Sequence, residues 1–148
     1  MYNVYLSGEI HTNWRNEIKK LSKQKKLDIN FFSPELNHEF SDKCGVSILG
    51  DETNKFWADH KSSKINFIRT KKLINLSDLV VVKFGEKYKQ WNAAFEAGMS
   101  VALNKSLIVI HSEDIQHALK EVDASALAVV KDAKQLVNIL DYVLNGKL

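Results

Sequence analysis

The chain has few of the residues that punctuate or staple a fold. Its 148 residues include one cysteine, one proline and six glycines. A lone Cys44 excludes an internal disulfide and a cysteine-built zinc site, and it suits a reducing compartment. The histidines His11, His38, His60, His111 and His117 lack ligand spacings such as HExxH, so neither metal nor cofactor is expected. No apolar run approaches the ~18 residues of a membrane span, and "MYNVYLSGEIH" has no basic and long apolar leader pattern. A cytoplasmic protein with no membrane partner is the expectation. Neither charge sign dominates: a net +3 does not call for a polyanion, and "KKLSKQKK" (residues 19–26) reads as a solvated helix face. No nucleic-acid partner is expected. GxxxxGK[ST] and GxGxxG are both absent, which argues against a P-loop enzyme and an ordinary dinucleotide dehydrogenase.

What is present is alternation. Short apolar runs at 2–7, 27–32, 79–84, 106–110 and 127–130 read as strands. Between and after them, residues 13–26, 61–76, 90–104, 115–122 and 132–145 read as helices. Thr12 or Asn13 could cap the first helix. Asp132 and Gln135 form a capping-box pair before the last, and Gly146 ends it. The segment from 35 to 60 is the least regular; at that length it is a functional loop or hides a short helix.

Near-continuous apolar strands alternating with helices predict a parallel sheet covered on both faces. The expected fold is one α/β domain over residues 1–148, a flavodoxin/Rossmann-like three-layer sandwich. Its five-stranded parallel sheet is expected in the order 2-1-3-4-5, with the topological switch between strands 1 and 3. Ligands of such sheets bind there, beyond the carboxyl ends of the strands.

In "QWNAAFEAGMSVALN" (90–104) Glu96 is the only charged residue, on a helix that is otherwise small or apolar all round. A buried carboxylate is costly unless paired. The predicted topology puts Glu96 just below the rim where strand 1 ends in "SGEIH" and strand 3 in "FGEKYKQWN". Lys61, Ser62, Asn66 and Arg69 come from the helix that starts at the same rim. Asp78 opens strand 3 at the opposite end and reads as structural.

"VYLSGEI", "SDLVVVKFG" and "FEAGMSVALNKSLIVI" resemble the nucleoside 2-deoxyribosyltransferase family over most of the chain. "GEIH…W", "INFIRT" and "FGEKYKQWN" resemble more closely the group known as the YtoQ family. The resemblance implies that Glu96 occupies the position of the nucleophile and Tyr5 that of the tyrosine that orients it. It implies cleavage of a deoxynucleoside N-glycosidic bond through a covalent sugar ester, with transfer to another base or to water. It also implies neighbouring subunits that complete each site. The chain departs from the family pattern at two acidic positions. The aspartate holding the sugar 5′-hydroxyl is Gln90 here, and the aspartate handling the base proton is Thr70.

Chemically, a carboxylate on one side of an anomeric carbon traps the oxocarbenium-like centre while an acid protonates the leaving base. Glu96 suits the first role. Glu9 is the best-placed second carboxyl, with His11 and Asp59 as further proton carriers. Ser7, Gly8, His11 and Gly85 are candidate substrate contacts, Gln90 and Asn92 for sugar hydroxyls, and Asn66 with Arg69 for a phosphate or carboxylate. Lys87 and Lys89 add charge near the rim; Phe84, Tyr88 and Trp91 are candidates to stack on a base. The plainer alternatives are a structural carboxylate at Glu96, a core tyrosine at Tyr5 and a helix-start carboxylate at Glu9.

The expected function is N-glycosidic cleavage of a nucleoside- or nucleotide-like ligand. The alternative is a non-catalytic module binding a nucleotide or sugar on the same fold. One face of the 90–104 helix (Ala94, Gly98 and Ala102, with Trp91) is apolar and opposite the sheet, which predicts a homo-oligomer, dimer or higher, through this helix.

Overall fold

A computed structural model describes residues 1–87 and 89–147. Strands β1 (Tyr2–Gly8), β2 (Ile29–Phe32), β3 (Leu79–Lys83), β4 (Ser106–Ile110) and β5 (Ala128–Val130) form one sheet. Its order is β2-β1-β3-β4-β5 with every pairing parallel, as the alternating pattern predicts. The register Tyr5↔Val80 and Ser7↔Val82 sets the end of β1 beside the end of β3.

Because side chains alternate across a strand, each strand feeds two cores. Val4, Leu6, Val81, Ile108 and Ile110 pack under α1 (Trp14–Gln24) and α6 (Ala133–Asn145) with Trp14, Ile18, Leu136 and Leu140. Tyr5, Val80, Val82, Leu107 and Val109 pack on the other side with Ile74, Ala93 and Ala97. That face is covered by α3 (Lys55–Leu76), α4 (Trp91–Ala102) and α5 (Gln116–Ser125). No helix among the described residues is long and apolar enough to cross a membrane.

The largest departure from expectation lies between β2 and β3. The irregular stretch holds a full helix, α2 (His38–Leu49), and α3 begins at Lys55 rather than at residue 61. Asparagines start both helices: Asn37 Oδ1 accepts from Phe40 N at 3.1 Å and Asn54 Oδ1 from Phe56 N at 2.9 Å. The periodicity of α2 is weak because it packs chiefly on α3 and not on the sheet, which leaves Phe40, Ile48 and Leu49 exposed. Gly45 makes the pairing possible. A Cβ there would stand 2.2 Å from Ser62 N, and Ser62 Oγ accepts from Gly45 N at 3.0 Å.

The helix ends differ in detail. At α1 neither expected cap forms: Asn13 occupies the N-cap position without a side-chain cap bond, and the Thr12 hydroxyl donates to Glu9 instead. At α6 the pair forms, with Asp132 Oδ1 accepting from Gln135 N at 2.8 Å. Gln135 Oε1 reaches back to Lys131 N at 2.8 Å, and Gly146 ends the helix at φ 65°. Asp78 has the structural role expected, accepting from Asn3 N at 2.8 Å at the amino end of the sheet.

Candidate active site

Residues two apart on a strand share a face, so Tyr5 and Ser7 both lie on the side covered by α4. The helix seats itself there through the buried small residues Ala93, Ala97 and Ser100. Glu96 precedes Ala97 on the edge of that seat and is half-buried. Ser7 Oγ donates to Glu96 Oε2 at 2.5 Å. Burial pushes the Glu96 pKa up, against the opposing pulls of the Ser7 hydroxyl, the nearby Tyr5 hydroxyl and the Arg15 charge. Tyr5 is fully buried, and among the described residues its hydroxyl has no hydrogen-bond partner, although it lies close to both Glu96 and Thr70. Burial first, and the Glu96 charge second, hold it protonated well above the ordinary phenol range.

The end of β1 lies tightly against the end of β3. Gly8 has φ 100°, and a Cβ there would fall 2.0 Å from the Lys83 carbonyl oxygen, so only glycine fits. Glu9 follows, and the carboxylate expected as the acid is engaged by its own loop. Its carboxylate accepts from His11 N, from Thr12 N at 2.9 Å and from the Thr12 hydroxyl at 2.5 Å. Burial pushes its pKa up, but the Thr12 hydroxyl, the two backbone N–H groups and the Lys83 charge outweigh burial and leave it below the usual carboxylate range. Such a group stays ionised and shapes the loop; it is a poor proton donor at neutral pH.

Arg15, which nothing in the sequence marks, lies beneath this turn at 4% exposure. Its Nε donates to Leu6 O at 3.0 Å, Nη1 to Glu9 O at 2.6 Å and Nη2 to Gly8 O at 3.1 Å. Trp14 Nε1 also donates to Glu9 O, at 2.8 Å, and the guanidinium carbon stands 4.5 Å from the centre of the Trp14 ring. Burial lowers the Arg15 pKa to about 10, partly countered by Glu9, Tyr5 and Glu96, and the group remains a cation at neutral pH.

Glu96 opens into a cavity of about 970 Å³ between the ends of β1 and β3 and the α2–α3 pair. Ser7, Gly8, Glu9 and His11 line it from β1 and its loop. Asp59, Ser62, Asn66, Arg69 and Thr70 line it from α3, and Lys89, Gln90, Trp91 and Asn92 from the start of α4. Several of these groups are already engaged. Asn66 Nδ2 donates to Ser41 O and Oγ, both at 3.0 Å, tying α3 to α2. Arg69 Nη1 donates to Ser33 O at 3.0 Å. Lys61 turns away from the cavity to Gly50 O, at 2.8 Å, and to Glu52, at 2.6 Å.

Two expected contacts are corrected. Phe84 is a core residue at 6% exposure, unavailable for stacking, because just past the end of β3 it packs into the cluster with Ala93 and Ala97 of α4. Gly85 does not line the cavity; its N–H donates to Gln90 Oε1 at 3.0 Å. The Gln90 amide in turn donates to Lys87 O at 3.1 Å, so this carboxamide closes its own loop while it lines the cavity. Lys87 is exposed and outside the cavity lining. Tyr88 lies outside the described residues. Among the described residues no group of His, Cys, Asp and Glu is arranged to hold a metal ion.

The outer face of α4 is apolar and open. Trp91 is 73% exposed and Phe95 59%, and Gly98, Val101 and Ala102 continue the stripe. Ala94, expected there, is half-buried against the inner core instead. From α3, Phe67 joins with its ring 5.9 Å from that of Phe95, beside the exposed Ile68.

A parallel sheet of this order, with a carboxylate from the helix after β3 turned to the switch-point cavity, has the architecture of the 2-deoxyribosyltransferase fold. The chain belongs to the family described as nucleoside 2-deoxyribosyltransferase YtoQ, whose model matches residues 5–144. It is 46% identical over 140 residues to YtoQ of Bacillus subtilis (strain 168), itself described as uncharacterized, covering 95% of each chain. A conserved protein from Enterococcus faecalis V583 shares the fold at a TM-score of 0.67 and 16% identity, over 97% of this chain and 99% of that one. So does a 2-deoxyribosyltransferase from Bacillus psychrosaccharolyticus, at a TM-score of 0.54 and 19% identity, over 92% of this chain and 90% of that one.

Proposed function

We propose that the protein cleaves the N-glycosidic bond of a nucleoside- or nucleotide-like compound with Glu96 as nucleophile. The observation that carries this reading is the Glu96 carboxylate, held by Ser7 at 2.5 Å and opening into the switch-point cavity. One Glu96 oxygen attacks the anomeric carbon as the bond to the base breaks. The bonding electrons leave with the base nitrogen, which takes a proton, and a glycosyl ester remains on Glu96. A second base or water then attacks the same carbon and releases the carboxylate. Tyr5 and Ser7 orient the nucleophile. With Glu9 committed to its loop, His11 and Asp59, both lining the cavity, are the groups proposed to deliver the proton. Copies of the chain associate through the Trp91–Phe95 face, next to the cavity mouth.

A non-catalytic binding role on the same fold is the second reading. It is favoured by the loss of the family's two aspartates, at Thr70, which lies close to Tyr5, and at Gln90, which closes its loop. The test is base release from a panel of nucleosides and 5′-nucleotides, with Glu96→Ala alongside and mass spectrometry for a glycosyl ester. Release that needs Glu96, with a sugar adduct on its peptide, is the expected result. No release by the parent protein, or release unchanged in Glu96→Ala, ends the proposal, and calorimetric binding without product selects the second reading.

A further inference from the structure

A buried guanidinium is normally matched by a carboxylate, because an unpaired buried charge is expensive. Arg15 is not: among the described residues no carboxylate is in ion-pair contact with it. Its fork is spent instead on three carbonyls, Leu6 O, Gly8 O and Glu9 O. Those carbonyls bracket one residue, Ser7, whose hydroxyl donates to Glu96 Oε2 at 2.5 Å. The bracket also spans Gly8, whose φ is 100° where the end of β1 lies against Lys83 of β3.

We propose that Arg15 is a positioning residue for Glu96: its guanidinium fixes the strand-end carbonyls on both sides of Ser7 and so aims the Ser7 hydroxyl at the carboxylate. A fork of three fixed donors suits this task better than a single ammonium, which cannot hold three diverging carbonyls in one geometry. The charge has a second effect, since it faces the same carboxylate through the strand. The groups facing Glu96 are Ser7 and Tyr5 from β1 and Arg15 from α1. Those facing Arg15 are Glu9, Tyr5 and Glu96, while Lys83 acts on Glu9 from β3 and Arg69 on Tyr5 from α3. The fork and the charge both favour the ionised, attacking form of Glu96.

The inference rests on the reading of Glu96 as nucleophile, and its test reads the carboxylate directly, so it stands or falls without turnover. With ¹³C-labelled glutamate, the Glu96 carboxyl resonance is assigned by its loss in Glu96→Gln and titrated in the parent protein, Arg15→Met, Arg15→Lys and Ser7→Ala. The expected result is an upward displacement of the Glu96 midpoint in Ser7→Ala and a larger one in Arg15→Met. Arg15→Lys, which keeps the charge and loses the fork, is displaced less than Arg15→Met but still above the parent. A folded Arg15→Met protein with a parental midpoint overturns the proposal. Should that variant not fold, Arg15→Lys decides: displacement supports the positioning role, and a parental midpoint ends it.

Discussion

Ser7 and Tyr5 face Glu96 from the same side of β1, yet only Ser7, at 2.5 Å, is hydrogen-bonded to it. The Tyr5 hydroxyl is buried beside the carboxylate without a partner. A buried hydroxyl left unbonded contributes nothing to folding and carries a desolvation penalty. Tyr5→Phe is therefore expected to leave stability within about 1 kcal/mol of the parent, or to raise it, in chemical denaturation. A loss beyond about 2 kcal/mol would show a hydrogen bond in the folded state. Base release, by contrast, is expected to fall about tenfold or more if the hydroxyl engages Glu96 only as the sugar is transferred.

Glu9 behaves differently under substitution if its task is the loop. Glu9→Gln removes the charge that strengthens the His11 and Thr12 N–H bonds, both made to Oε1, and turns the oxygen that accepts from the Thr12 hydroxyl into an NH2 donor. A loss of about 1–3 kcal/mol in denaturant stability is expected. The alkaline limb of any pH–rate profile, where activity falls as the general acid loses its proton, stays where it was, since Glu9 is already ionised there. Loss of the limb that reports the general acid would restore Glu9 to the catalytic role.

Glu96 supplies a pH signature of its own. Its folded-state pKa is raised, chiefly by burial, so the stability it contributes is present at low pH and lost as pH rises through the folded value. Glu96→Gln removes the buried charge and keeps the shape. The variant is expected to melt above the parent at neutral pH, and the gap is expected to close as pH falls toward about 4. Thermal melts across that window check both the sign and the closing; a gap that widens in acid contradicts the assignment.

The open face of α4 gives the fourth prediction. Trp91→Glu with Phe95→Glu places two charges among Phe67, Ile68 and Val101 without touching the core beneath. Light scattering after size exclusion is expected to show a parent protein at a multiple of the chain mass and a monomeric variant. A monomeric parent removes this face from consideration as an interface.

The parts that the sequence made legible share a cause. β1, β3 and β4 read as near-continuous apolar runs because both faces of the sheet are covered, and that pattern leads to the strand order. Glu96 stood out because a single charge among alanines has few structural explanations. Arg15 did not, since a basic residue in a lysine-rich helix looks solvated, and its partners are carbonyls that every residue carries. The same holds for Gln90 and Glu9, whose bonds go to backbone groups chosen by the turn rather than by side-chain type. α2 could be read only as a short helix hidden in an irregular segment, because a helix resting on another helix needs only a narrow apolar stripe.

That last arrangement has a consequence for motion. Segments whose contacts lie mostly within themselves open at lower free energy than the body they are attached to. α2 leans on α3 at Gly45 and Ser62 and hardly on the sheet, and together the two helices form the cavity wall facing Glu96. Amide exchange should therefore be fastest in α2 and slowest along β1 and β3, so that the door breathes while the floor bearing Ser7 stays still.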